Sequence, residues 1–301
     1  MHNASTSFVS AKQLSKRAVT QFYDTLLSRP HKTENPSDEK DKFEGDGIAL
    51  MVDGELRGMY TYKAFASIQA NTTLYYPYGG VLGDDPHTTQ HRALIQALSR
   101  QLKSDFTTQI IICLDQQPMQ AVDKTVQCHA FWCELGFTLL DVQVFYQGPV
   151  KVDDTKIQSD FSVRPYSGGD HAINTELCDL YRDAYKRRLA IPDVTVDSID
   201  KQLAMAECMY LIMHKDSTLI GQVTLFVDNK DCYVDSIYVK RRYWGTGAAD
   251  VLTQTLFAYA EKHGCETISG VAASNNWASR GLMARFGLVA QHQTTRMVLT
   301  L

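Results

Sequence analysis

Several absences narrow what this chain can do. It contains no CxxC, HxH or HExxH, so its seven cysteines and nine histidines offer no spacing for a metal site. The cysteines (113, 128, 133, 178, 208, 232 and 265) are odd in number and scattered, which reads as reduced thiols in a cytoplasmic protein rather than a disulfide frame. No apolar run approaches the ~20 residues of a membrane span, and the opening MHNASTSFVSAKQLSKRA lacks the apolar core of a secretion signal. There is no block of lysine and arginine; with a net charge of −4 the chain has no electrostatic footprint for nucleic acid. No GxxxxGK[ST] is present, which sets aside the nucleoside-triphosphate loop, and no three-glycine GxGxxG, which sets aside the dinucleotide fingerprint.

What is present suffices for about two domains: 301 residues, 44% hydrophobic and 21% charged. The stretch 234–262 organises the rest. Tyr233, Val234, Ile237, Tyr238 and Val239 are β-branched or aromatic and follow the polar turn 228–231, which predicts a strand. Ala249, Leu252, Leu256 and Ala260 repeat at three and four residues and predict a helix that Gly264 ends. Between them lies Arg242-Tyr243-Trp244-Gly245-Thr246-Gly247-Ala248. Two glycines let a bulky anion approach the backbone, and a helix N-terminus offers unpaired N–H groups and partial positive charge. Arg241 and Arg242 add full charges, so the arrangement suits a pyrophosphate.

The remaining pattern is a mixed α/β one that runs twice. Strands are expected at 48–52, 56–62, 74–81 (broken by Pro77 and two glycines), 109–114 and 138–146, with helices at 8–28, 87–103 and 122–134 and a charged loop at 30–46. The polar stretch 148–160 reads as a linker. Beyond it, a strand at 161 precedes helices at 170–187 and 195–207, strands at 209–213, 219–227 and 232–239, then the loop and helix above, a strand at 267–272, a helix at 276–285 and a strand at 294–301. Asp53-x-x-Leu56-x-Gly58-x-x-Thr61 recurs as Asp216-x-x-Leu219-x-Gly221-x-x-Thr224, and Leu135-Gly136-Phe137 as Phe286-Gly287-Leu288, which marks an internal repeat.

The R-x-x-G-x-G loop after a strand ending Ile-Tyr-Val, and the segment from Asn276 to Leu288, resemble the GNAT superfamily of acyl-coenzyme A N-acyltransferases. The order of elements in each half resembles a GNAT domain, so the whole looks like a tandem-GNAT protein: a degenerate copy at 1–147, the linker 148–160, and a working domain at 161–301. The resemblance implies an α/β fold, acetyl-CoA as cosubstrate, a small-molecule or peptide amine as acceptor, no metal, no nucleic acid, no membrane, and a monomer or homodimer. It further implies that the backbone of Ile237, Tyr238 and Val239 pairs with the pantetheine arm. The loop Arg242, Tyr243, Trp244, Gly245, Thr246, Gly247 and Ala248 would then hold the pyrophosphate, and Asn276 and Ser279 would face the cofactor arm.

Three positions carry alternatives. Asn276 suits a helix N-cap as well as a ligand contact. Asp235, the one acidic residue within the strand 233–239, is either the base that deprotonates the amine or the partner of a basic neighbour. Met283 stands where the family has a tyrosine that protonates the leaving thiolate, which a thioether cannot do. Tyr233 and Tyr238 are stand-ins if they are not simply packed. The loss at Met283 motivates a rival reading, a non-catalytic acyl-CoA sensor or scaffold. A peptidyl- or aminoacyl-transferring relative is disfavoured by the intact coenzyme A loop. The first half has Asp84-Asp85-Pro86-His87 in place of the loop, Thr125 for the asparagine and Trp132 for the tyrosine, which reads as a disabled copy.

Overall fold

The computed structural model describes residues 5–27, 46–82, 89–104, 107–114, 117–118, 130–151, 160–185, 188, 191–205, 208–214 and 218–301. It is a mixed α/β structure that divides into two compact units. One comprises Met1–Asp115, Val122–Leu140 and Arg296–Leu301; the other comprises Gln116–Ala121 and Asp141–Thr295. Each unit therefore takes a strand segment from the opposite half of the chain.

In the first unit, β1 (Thr6–Ser10), β2 (Asp46–Val52), β3 (Glu55–Ala66), β4 (Thr72–Val81) and β5 (Thr107–Cys113) lie side by side. The C-terminal end of β13 (Val289–Thr300) completes the row, pairing antiparallel with β5 from Arg296↔Cys113 to Thr300↔Gln109. β4 and β5 are parallel, from Thr72↔Thr107 to Tyr75↔Ile110. Helix α1 (Lys16–Leu27) buries Phe22, Tyr23 and Leu26, and α2 (Thr89–Leu102) buries Leu94, Ile95 and Leu98 with Met297 of β13 in the same core cluster as α2.

Three expectations need correction here. Residues 6–10 are a strand on β2, not the start of a helix; Ser10 N–H donates to Gln13 Oε1 at 3.1 Å, and Ser15 Oγ accepts from Ala18 N at 3.2 Å to begin α1 afresh. Pro77 does not break β4, because it falls where the β5 pairing has already stopped and only the β3 side remains (Tyr62↔Pro77). Gly148 and Pro149, placed in the linker, are rungs of β7 (Thr138–Pro149) opposite Ile268 and Thr267. The rest of that linker from 152 to 159, the loop at 30–45, the segment 83–88 and residues 119–129, Thr125 included, lie outside the described residues.

The second unit has the order β7-β12-β11-β10-β9-β8. The strands are β7 (Thr138–Pro149), β8 (Phe161–Tyr166), β9 (Cys208–His214), β10 (Leu219–Asp228), β11 (Asp231–Val239) and β12 (Thr267–Ala273), with β6 (Gln117–Pro118) on β13 at His292 and Gln293. Helices α5 (Ala248–Lys262) and α6 (Trp277–Arg285) cover one face, where Leu252, Leu256, Phe257 and Met283 pack with Val144, Cys232, Val234 and Ile268. Helices α3 (His171–Tyr185) and α4 (Val196–Met205) cover the other, where Leu177, Leu180 and Ile199 pack with Met209, Leu211 and Leu219. Burying each such leucine or isoleucine contributes roughly 1.5–3 kcal/mol, which is why strands read as nearly continuous apolar runs are sandwiched between helices.

The repeat is physical. In each copy a bulge falls one residue before the repeated glycine, at Arg57 between Leu56 and Gly58 and at Ile220 between Leu219 and Gly221. Gly221 is required there, since a Cβ would stand 2.4 Å from the Tyr238 carbonyl oxygen. Each copy also ends a helix with a left-handed glycine, Gly136 (φ 89°) and Gly287 (φ 74°). The next N–H bonds back five residues, Phe137 to Trp132 and Leu288 to Met283, each at 3.0 Å.

Candidate active site

The site begins where β11 and β12 part. Their parallel pairing runs from Asp231↔Thr267 to Val234↔Gly270 and stops. Beyond it, β11 continues to Val239 along β10 alone, while β12 continues to Ala273 along β7 alone. The backbone of Asp235–Val239 thus has an unpaired edge on the β12 side, the condition under which a polar chain can add to a sheet.

A bulge in β11 shapes the same spot. On β10, Thr224 pairs with Ser236 but Leu225 with Val234, so Asp235 is the extra residue. A regular strand alternates faces, whereas here Val234 and Ile237 pack towards α5 and both Asp235 and Ser236 turn the opposite way. Asp235, Ser236 and Tyr238 line a cavity of about 280 Å³ with Leu177 and Tyr181 of α3, Ile199 and Gln202 of α4, and Gln222 of β10. The equivalent strand of the first unit, β4, pairs with β3 without any bulge and has no acidic residue.

Asp235 is exposed at this cavity, yet neighbouring atoms crowd its carboxyl. That desolvation raises its pKa above the ordinary carboxylate value, and the Gln202 amide, donating to Oδ2 at 2.7 Å, acts in the opposite direction. Among the described residues its side-chain partner is the Gln202 amide, and no cation is paired with it. Tyr238 stands edge-on to Tyr181 and Tyr185 (centroids 5.6 and 5.5 Å), and burial, then its tyrosine neighbours, push its pKa well up. Tyr233 is raised by desolvation first and by the Asp235 charge second. Gln222, which donates to Ser236 Oγ at 3.0 Å and is itself held by Thr224 at 2.9 Å, fixes the cavity floor.

The anion loop follows β11 directly. A 3₁₀ turn, Arg241–Tyr243, leads to Gly245 (φ 77°) and Gly247 (φ 86°), both in the left-handed region that favours glycine. A Cβ on either would meet nothing within 4 Å, so the loop leaves open space above its backbone. Gly247 is the N-cap of α5 and offers no side chain to its first turn; Val251 N–H is the first to bond back, to Gly247 O at 3.0 Å. The N–H groups of Ala248, Ala249 and Asp250 therefore have no partner within the helix. Arg241 and Arg242 are exposed, with Arg242 resting 4.9 Å over the Tyr243 ring, and Thr246 Oγ1 donates to the Tyr243 carbonyl at 2.7 Å.

Trp244 does something the sequence did not suggest. Its indole Nε1 donates to the Val239 carbonyl at 2.8 Å. Lys240 N–H bonds Ile220 O on β10, so the preceding Val239 carbonyl faces the other way, into the opening between β11 and β12. Asn276 is the N-cap of α6: Ser279 N donates to its Oδ1 at 3.3 Å, and its Nδ2 donates to Ser279 Oγ at 2.7 Å. Met283 is buried, with its Cε 3.3 Å from where a Cβ on Gly270 would stand.

The loop and the divergent strand were readable as sequence; the cavity was not. Ser236 was missed because period-two alternation sends it to the wrong face; Gln202, Leu177 and Tyr181 were missed because amphipathic helices carry no acceptor code, and Gln222 because it sits within the apolar strand β10. In the first unit, Trp132 is core, edge-on to His91 and Phe137. A second, shallow depression of about 690 Å³ runs along α1 between Lys16 and Thr25 and gathers no convergent chemistry. Among the described residues no group of three His, Cys, Asp or Glu side chains is placed to hold a metal. No disulfide joins any two of the six described cysteines, and no described helix is long and apolar enough to cross a membrane.

Comparison with known proteins finds a family model that matches part of the chain. Residues 174–288 match the family model described as acetyltransferase (GNAT) family. No curated protein matches the chain. Among solved structures, it is similar to a tandem GNAT protein from the clavulanic acid biosynthesis pathway, solved without AcCoA, with a TM-score of 0.67 at 13% identity over 98% of both chains. A GCN5-related N-acetyltransferase from Sphaerobacter thermophilus gives 0.63 at 13% identity, covering 97% of this chain and 95% of that one. A GCN5-related glucosamine N-acetyltransferase region of a fungal multi-domain β-N-acetylglucosaminidase gives 0.69 at 10% identity, with 98% of this chain spanning 38% of that one. At such identities the likeness is one of fold.

Proposed function

Since residues 174–288 form a GNAT-family domain within a tandem GNAT fold, we propose that the protein is an N-acetyltransferase. In this reading it moves the acetyl group of acetyl-CoA onto a primary amine by direct attack on the thioester, in the cytoplasm and with one working site, in the second unit. The observation that carries the reading is the bulge at Asp235. It sets a desolvated carboxyl on the cavity wall beside the place where β11 and β12 part.

Each part has a physical task. The donor substrate supplies an acyl carbon activated as a thioester. The open edge Asp235–Val239 offers backbone groups to an extended polar arm, and the loop Arg242–Ala248 offers N–H groups and charge to a pyrophosphate. Asn276 and Ser279, already bonded to each other at the α6 cap, would face the same arm. The cavity takes the amine: its apolar walls fit a compact organic body, and Asp235 and Gln202 fit an ammonium head.

A primary amine with a pKa near 10.4 is neutral in fewer than about one molecule in a thousand at pH 7. Asp235 removes that proton, and its raised pKa makes it a stronger base than an exposed carboxylate. The backbone N–H groups on the open β12 side of β11, beyond Val234, are suited to hold charge developing on the carbonyl oxygen.

The test is thiol release from acetyl-CoA with a panel of amines that includes phenethylamine, spermidine and a lysine peptide. Amine-dependent release supports the enzyme. Tight calorimetric binding of coenzyme A with no release for any amine would mean the sensor suggested by Met283.

A further inference from the structure

The reading above leaves the departing thiolate without a proton donor, because Met283 has none to give. The apex of the opening supplies one from an unexpected strand. Gly270 is the last β12 residue paired with β11, opposite Val234. On its other side Gly270 pairs with Tyr146 of β7, and over it lies Met283. Tyr146 comes from the N-terminal half of the chain but belongs to the second unit. It is buried in the same cluster as Val144, Val234 and Met283, so it stands on the α6 side of the sheet.

Its hydroxyl is anchored at one point. Arg280 Nε donates to it at 3.2 Å, and Arg280 Nη1 is fixed by the Ser274 carbonyl at 2.8 Å. Arg280 precedes Met283 by one helical turn, nearer to Asn276 and the open ends of the strands. Guanidinium groups only donate, so the Tyr146 oxygen is an acceptor in this pair and keeps its own proton to give. Among the described residues nothing accepts that proton. Tyr233 and Tyr238 are placed differently: Cys232 and Val234 face α5, which turns Tyr233 away, and Tyr238 lines the cavity on the side where Asp235 works.

We infer that Tyr146 is the proton donor to the leaving thiolate, taking the part that a residue on α6 at position 283 cannot play. This rests on the N-acetyltransferase reading. The amine, having given one proton to Asp235, attacks the thioester carbon; the C–N bond forms, the C–S bond breaks with its electron pair going to sulfur, and the nitrogen loses its second proton to solvent. Tyr146 transfers its hydroxyl proton to that sulfur, and the resulting phenolate, held by the Arg280 cation, regains a proton from water. The products are an amide, a thiol and one proton released to solvent. Base and acid then act from opposite faces of the sheet, as required if the acyl carbon sits in the gap between β11 and β12.

The experiment compares wild-type protein with Tyr146→Phe, which keeps the ring and removes only the hydroxyl. Thiol release from acetyl-CoA with phenethylamine should fall by about a hundredfold. With 4-nitrophenyl acetate as donor, whose leaving group departs unprotonated, the rate with the same amine should change by less than about threefold. Coenzyme A affinity by calorimetry and the melting temperature should stay as in the wild type. Equal losses with both donors, or undiminished thiol release, would overturn the role of Tyr146. Silence of the wild-type protein with every donor and amine would overturn the acetyltransferase reading and this role together, and that outcome is recognisable without the variant.

Discussion

Replacing Asp235 by asparagine changes one atom at the centre of the proposed chemistry, and the structure fixes the sign of each consequence. The amide keeps the size of the carboxyl and can still accept the Gln202 bond of 2.7 Å, so the cavity wall keeps its shape. What is lost is basicity. General-base contributions of about two to four orders of magnitude correspond to roughly 2.7–5.4 kcal/mol of barrier, and kcat at pH 7 should fall by that amount. Raising the pH should recover part of the rate, because more of the amine then arrives neutral.

Stability should move the other way. A carboxyl whose folded pKa is raised contributes stability below its unfolded pKa, near 3.9, and that contribution is lost as pH rises through the folded value. At pH 7 the ionised, crowded carboxylate is therefore a burden that asparagine removes. Asp235→Asn should melt at or slightly above the wild-type temperature at pH 7, with the advantage fading in acid. The assay is a pH–rate profile beside melting curves at pH 7 and pH 4 on the one variant. Full turnover with a lowered melting temperature would refute both the base and the electrostatic reasoning.

Gly247→Ala should weaken coenzyme A binding at least tenfold in calorimetry. Its methyl enters the space left open above the loop, while the left-handed φ of 86° costs about 1–2 kcal/mol of stability; unchanged affinity would remove the anion site. Arg242→Ala should weaken the same binding more at low salt than at high salt, and a flat salt dependence would make Arg242 structural. Trp244→Phe frees the Val239 carbonyl and should tighten coenzyme A binding by about two- to tenfold if that carbonyl meets the ligand; weaker binding would mean the indole itself is a contact. Met297→Ala, at a side chain 1% exposed on β13, should lower the melting temperature of the first unit by creating a cavity worth about 2–5 kcal/mol, although it lies only four residues before Leu301.

The sequence by itself determined the local machinery. The strand ending at Val239, the helix from Ala248 to Lys262 closed by Gly264, and the glycines at 245 and 247 depend on neighbours within a few residues, so spacing and residue type revealed them. The repeat was legible for the same reason, because a glycine that relieves a bulge or caps a helix is needed in both copies. Tertiary structure decided what depends on partners distant in the chain. Asp235 and Ser236 share a face only because β10 and β11 slip by one residue, and no local pattern announces that slip. Asp235 meets the amide of Gln202 on α4, far away in the chain. Tyr146 and Met297 each belong to the unit built by the other half of the chain, because β7 finds its partner in β12 and the end of β13 finds its partner in β5. Strand pairing is set by backbone hydrogen bonds that are nearly indifferent to side chains, so the polar stretch from 148, read as a linker, begins with the last two residues of β7.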